Sequence, residues 1–157
     1  MKKLSTGILL FFVFAITAIA QTREETEAWI IKQAEFNLEG RLKYSIEGDE
    51  LISRLTLPYR MGGETIQKSI PINQIKSISF THTHEFLSYS LICNKPCVSQ
   101  FNGNTQSEEM KPRFLFEIYK KLDSSFLPRM DKALLKLIEL HGGKAKIVQQ
   151  KPEKETF

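Results

Sequence analysis

Two short runs hold the most reactive side chains of this sequence. The first is Thr81-His82-Thr83-His84-Glu85. On a strand, side chains alternate and the backbone rises roughly 3.3 Å per residue, so His82 and His84 would share one face with Cβ atoms about 7 Å apart. Two neutral imidazoles so placed can share a Zn²⁺ or Cu²⁺ ion. A closed site needs a third ligand and usually a fourth. Glu85 points the other way on a continuous strand, and Cys93 and Cys97 could join only if the next hairpin lay alongside. The pair is a candidate metal site, set against the plainer reading of a polar strand end.

The second run is Cys93-Asn94-Lys95-Pro96-Cys97, which contains the only two cysteines of the chain. Residues flanking a three-residue turn can sit within the Cα range of a disulfide. So short a loop adds roughly 2 kcal/mol or less by the chain-entropy argument, so a bridge would pin the connection rather than hold the fold. The alternatives are two free buried thiols or a redox pair. Redox dithiols favour Cys-x-x-Cys at a helix start, and here the spacing is one residue longer.

No other catalytic pattern stands out. No serine lies in a Gly-x-Ser-x-Gly elbow. Met61-Gly62-Gly63-Glu64 lacks the length and the Lys-Ser/Thr end of a phosphate loop. The acidic pairs Glu24-Glu25 and Glu108-Glu109 fall in a helix's opening turn and a polar loop, both ordinary solvated positions. His141 follows a helical stripe, where its charged form would favour the negative end of the helix dipole. No cofactor is indicated.

The first twenty residues place these sites outside the cytoplasm. Lys2 and Lys3 precede an apolar run from Ile8 to Ile16, and Ala18 and Ala20 stand three and one residues before Gln21. This is the order of a cleavable signal peptide, 1–20. A bilayer span needs roughly 20 apolar residues, more than Gly7 to Ala20 supplies before the polar Thr22-Arg23-Glu24-Glu25. The expectation is a periplasmic or extracellular protein with no membrane span after cleavage. Oxidising surroundings there would favour the Cys93–Cys97 bridge.

The remaining residues suit one domain. The net charge of +4 overstates the mature balance, because two of the 22 basic residues and none of the 18 acidic ones lie in 1–20. Basic residues such as Lys43, Arg54, Lys76 and Arg113 are scattered, so no nucleic-acid partner is expected. Trp29, Phe114, Phe116 and the C-terminal Leu/Ile stripe read as core.

The elements follow from periodicity. Thr22 and Glu25 form a capping-box pattern that opens a helix from about Arg23 to Asn37. Alternation then predicts strands near 42–46, 51–57, 65–72, 76–82, 86–93, 97–101 and 114–118. Phe86–Cys93 and Cys97–Phe101 are expected to form a hairpin, and Asn102 to Glu109 a mobile polar loop. Leu127, Met130, Leu134, Leu137 and Ile138 mark a second helix, with Pro128 in its first turn and Gly142-Gly143 as its stop. The globular domain is expected to span 21–143, followed by a polar, disordered tail over 144–157.

The fold class is therefore α+β: an N-terminal helix, about seven antiparallel strands and a C-terminal helix packed on the sheet. Two arrangements fit. The preferred one, a bent sheet or small roll plugged by the last helix, resembles the pleckstrin-homology-like layout in element order alone; the other is an open sheet with both helices on one face. Three functions fit: a non-enzymatic exported domain binding an unknown protein or small ligand, a metal-binding protein using His82 and His84, or a small-molecule carrier with a pocket under the C-terminal helix.

Overall fold

The computed structural model describes residues 23–34, 40–83 and 86–148. Residues 1–22, which include the expected signal peptide, residues 35–39, His84, Glu85 and residues 149–157 of the expected tail lie outside the described residues. Helix α1 covers residues 23–33, with Ala34 in a turn; the expected continuation to Asn37 also falls outside them. Nine strands follow: β1 (Leu42–Glu47), β2 (Glu50–Thr56), β3 (Thr65–Pro71), β4 (Ile75–His82), β5 (Phe86–Cys93), β6 (Val98–Asn102), β7 (Ser107–Lys111), β8 (Arg113–Tyr119) and β9 (Lys146–Ile147). Helix α2 (Phe126–Leu140) lies between β8 and β9. The protein is α+β, with two α-helices and mainly antiparallel strands among the described residues.

The strands form one five-stranded sheet, β1-β2-β3-β6-β7, and one four-stranded sheet, β8-β5-β4-β9. The chain passes between them at three corners. A 3-10 turn at Ile72–Gln74 joins β3 to β4, and Asn94–Cys97 joins β5 to β6. Pro112 separates β7 from β8; without an N–H it cannot extend a ladder, and the chain changes sheets there.

The second corner corrects the expected hairpin. β5 pairs with β4 and β8, while β6 pairs with β3 and β7, so the strands flanking the cysteines never pair with each other. The expected loop over Asn102 to Glu109 is also largely a hairpin: β6 and β7 pair from Val98↔Lys111 to Asn102↔Ser107. β7 is an outer strand exposed along most of its length, so no buried face imposed alternation on its sequence. Its charged residues, including the ion pair Lys111–Glu109, suit an edge that must not recruit another chain.

On the core face of the second sheet, Leu87, Tyr89 and Leu91 of β5 stand opposite Ile118, Phe116 and Phe114 of β8, all buried. α2 joins the same cluster through Phe126, Met130, Leu134, Leu137 and Ile138, a helical stripe one face wide. Tyr89 donates a hydrogen bond to Asp131 of α2 at 2.6 Å, tying helix to sheet. Ile30 and Ala34 bring α1 into this cluster.

The domain extends past the expected boundary at Gly143. β9 runs parallel to β4, with Ser77↔Lys146 and Ile78↔Ile147 as partners, and Val148 N–H bonds to the Ile78 carbonyl at 2.7 Å. Ala145 and Ile147 pack on the core, which holds a segment whose composition alone reads as tail.

Candidate functional site

His82 is the last residue of β4, solvent-exposed, its ring centroid 6.0 Å from that of Phe80. His84, the other half of the metal candidate, lies outside the described residues. The cysteines are at the opposite end of the same strand pair: Leu87 stands opposite His82, whereas Cys93 stands opposite Ile75. Six residues at ~3.3 Å each put them about 20 Å apart, too far to complete a site around His82. Among the described residues no group of three or more His, Cys, Asp or Glu side chains could hold a metal ion.

Cys93 and Cys97 are joined as a disulfide, Cα atoms 6.2 Å apart, and both are buried. The bridge spans the β5–β6 corner, where two strands bound to different sheets diverge. Replacing both cysteines with serine should lower stability by about 2 kcal/mol or less. The measurement is the urea midpoint, and reductant should shift the wild-type midpoint equally while leaving the double variant unchanged.

His141 has a larger part than a helix end requires. Its side chain is 0% exposed, and each ring nitrogen faces a carboxylate: Nε2 lies 2.9 Å from Glu27 of α1 and Nδ1 lies 2.9 Å from Asp49 in the β1–β2 turn. Nδ1 also lies 3.2 Å from the Arg23 guanidinium, so that nitrogen meets a cationic donor as well as a carboxylate. Arg23, one turn before Glu27, bonds Glu27 at 2.8 Å, Asp49 at 3.1 Å and the Gly48 carbonyl at 2.9 Å. The His141 hydrogen bond, then that of Arg23, holds the Asp49 carboxyl below its ordinary range. With both nitrogens engaged and the ring shut from solvent, this cluster is a clasp joining α1, the β1–β2 turn and α2, not a general base.

A more suitable ligand site lies between the sheets. On the inner face of the first sheet the ladders align Tyr44, Ser53, Lys68 and Gln100 in one row across β1, β2, β3 and β6. Leu42, Leu55 and Ile66 form the adjacent apolar row. Facing them, Leu115 and Glu117 of β8 complete a cleft of about 190 Å³.

Tyr44 fixes the two walls together. Its hydroxyl accepts the Glu117 N–H at 2.9 Å and donates to the Leu115 carbonyl at 3.3 Å, satisfying the free edge of β8, the outer strand of its sheet. Its ring lies 4.7 Å from Phe116. Burial pushes the Tyr44 phenol up, so the hydroxyl stays protonated. Glu117 is half-buried; desolvation raises its carboxyl, and Lys68 pulls it partly back. An apolar wall with a few converging polar groups and a perturbed carboxyl is the usual physical signature of a binding site.

Trp29 is half-buried against the core and also floors an open groove of about 400 Å³ between the helices, beside Arg129, Lys132 and Lys136. Arg129 is paired with Asp123 and Lys136 with Glu139.

No family model matches the chain, and no curated protein or solved structure matches it. The chemistry of the cleft is thus the ground for a functional reading.

Sequence reasoning missed both clusters. The clasp partners of His141 lie 92 and 114 residues away along the chain. The one local trace was the Arg23–Glu27 helical spacing. The cleft residues come from five strands, and each looks like an ordinary strand position by itself.

Proposed function

We propose that this protein is an exported, non-enzymatic domain that binds one small molecule in the cleft between its sheets. The observation carrying this reading is the row Tyr44, Ser53, Lys68 and Gln100 facing Leu115 and Glu117 across about 190 Å³. That volume is below the roughly 300–1,000 Å³ of drug-sized sites, which suits a metabolite-sized ligand. Signal-like residues 1–20 and the buried disulfide support a periplasmic or extracellular setting. Among the described residues no helix is long and apolar enough to cross a membrane.

The cleft gives no sign of covalent chemistry. Ser53 has no histidine lining the cleft beside it to take its proton, and the Tyr44 hydroxyl is committed to the backbone of β8.

Leu55→Trp would fill the cleft from its apolar wall. Fragment screening by amide chemical-shift mapping should find small amphipathic molecules that perturb Ser53, Lys68 and Glu117 in the wild type and leave the dispersed spectrum of Leu55→Trp unchanged. Fragments that bind both proteins alike, or none that perturb these amides, would refute the cleft as a site.

A further inference from the structure

Lysines that the sequence scatters gather at one end of the second sheet. A concave surface of about 410 Å³ there is lined by Lys76, Lys95, Asn73, Gln74 and Asn94, and no acidic residue lines it. Lys146 stands opposite Ser77, next to Lys76, and Lys144 lies two residues before it. The contributing segments 70–82, 86–107 and 141–148 contain none of the chain's 18 acidic residues. Among the described residues, neither the Lys76 nor the Lys95 ammonium has a hydrogen bond or an ion pair, and the three side-chain amides have none either. We propose that this pocket, which is separate from the cleft between the sheets and does not depend on it, binds an anionic sugar: a saccharide carrying a sulfate or carboxylate group.

Two features select that class. A solvated face ordinarily intersperses both signs of charge, whereas here a ligand anion must supply the countercharge. The lysines offer only donors, but each carboxamide offers N–H donors and a carbonyl acceptor. A bare anion could use the donors alone. Sugar hydroxyls both donate and accept, so two ammonium groups beside three carboxamides match a sugar that bears an acid group. The volume lies within the roughly 300–1,000 Å³ of small-molecule sites.

Each wall is held by the fold. Ile75 faces Cys93 and Ser77 faces Ile92, so the ladder slips at Lys76 and leaves it without a strand partner, the placement by which a bulge re-aims a side chain. Asn94 and Lys95 stand in the corner closed by the Cys93–Cys97 disulfide. Asn73 and Gln74 belong to the 3-10 turn on which Gly143 rests. Such support lowers the ordering cost of binding. Nearby negative groups are already engaged. The Leu137, Ile138 and Glu139 carbonyls at the end of α2 accept the N–H groups of His141, Gly143 and Gly142. Asp49, whose carbonyl accepts the Ile72 N–H at 2.9 Å, has its carboxylate on His141 and Arg23.

Amide chemical-shift titration of the purified protein with glucose 6-sulfate, glucuronate, glucose and inorganic sulfate tests the proposal. At least one of the two acidic sugars should shift the Gln74, Lys76, Asn94 and Lys95 amides saturably and leave Ser53 and Glu117 in place; the tighter of them names the acid group. Glucose and inorganic sulfate should each bind about tenfold or more weakly than that sugar, since each lacks one half of the recognition. Raising NaCl from about 20 to about 300 mM should weaken the acidic sugar. The double variant Lys76→Gln/Lys95→Gln, its dispersed spectrum showing that it is folded, should lose about tenfold in affinity for the acidic sugar. Inorganic sulfate binding as tightly as the acidic sugars would overturn the sugar and leave a bare-anion site. Glucose binding as tightly would overturn the role of the lysines, as would an unchanged affinity in the double variant. No shift at these amides with either acidic sugar would overturn the site, and none of these outcomes bears on the cleft.

Discussion

Replacing His141 with alanine should destabilise the fold by about 3 kcal/mol, more than a helix-dipole contact at a chain turn could supply. The imidazole is fully buried, and its two nitrogens are the meeting point of α1, the β1–β2 turn and α2. Hydrogen bonds to charged groups contribute roughly 1.5–3 kcal/mol each, and breaking a fully buried pair costs roughly 3–5. The value falls at the lower end because the Asp49 side chain is 67% exposed and regains water, while Glu27, at 21%, keeps Arg23.

Urea melts measure this as a shift of midpoint with an unchanged slope. His141→Gln, which retains one donor group, should lose less than His141→Ala. A cycle with Glu27→Ala should show clear coupling, since the two residues touch. Loss of under about 1 kcal/mol would mean that the clasp is an incidental surface contact. The same residue shapes the acid limb. The Asp49 carboxyl is lowered in the folded state, so its contribution is present above the ordinary carboxylate range and is lost as pH falls through the lowered value. Without His141 that acid-dependent loss should shrink.

The second large effect is expected at Gly143, and Gly142 beside it is the control. Gly142 has φ of 77°, with open space where a Cβ would stand. Gly142→Ala should therefore cost only the left-handed strain, about 1–2 kcal/mol. Gly143 has no positive φ, but its Cβ would lie 2.9 Å from both the Cα and the carbonyl oxygen of Asn73, and 2.8 Å from Ile138. Asn73 belongs to the 3-10 turn at the β3–β4 corner, so backbone would have to move. Gly143→Ala should cost about 3 kcal/mol, near the upper end for overpacking, and should exceed Gly142→Ala. The reverse order in thermal or urea melts would mean that α2 does not rest on that corner.

Legibility in the sequence divided along range. α2 was readable from Met130, Leu134, Leu137 and Ile138, because helix periodicity is local and its buried face is narrow. The pairing of β1 with β2 followed from alternation on both sides of Gly48. The cysteine pair was readable because proximity in sequence forces proximity in space. Strand partners were not. Cys93 and Cys97 flank a short turn in either a hairpin or a corner, and spacing cannot distinguish them. The corner arises because β5 already has β4 and β8 as neighbours. β7 escaped detection because an exposed edge needs no alternation.

The same reasoning applies to the sites. His82 and the disulfide drew notice as concentrated reactive side chains, yet the chain holds them about 20 Å apart along β4–β5. Lys68 and Glu117 drew none, since a lysine and a glutamate on alternating strands are ordinary. Their meaning comes from the ladder that aligns Tyr44, Ser53, Lys68 and Gln100, and from the Tyr44 hydroxyl that brings β8 against that row.

A crystal structure of the protein soaked with the fragments that shift the Ser53, Lys68 and Glu117 amides tests the cleft most directly. The expected result is one fragment between the sheets, its apolar part against Leu55 and Ile66. A cleft holding only water, or closed by its own side chains while the fragments bind elsewhere, would contradict it.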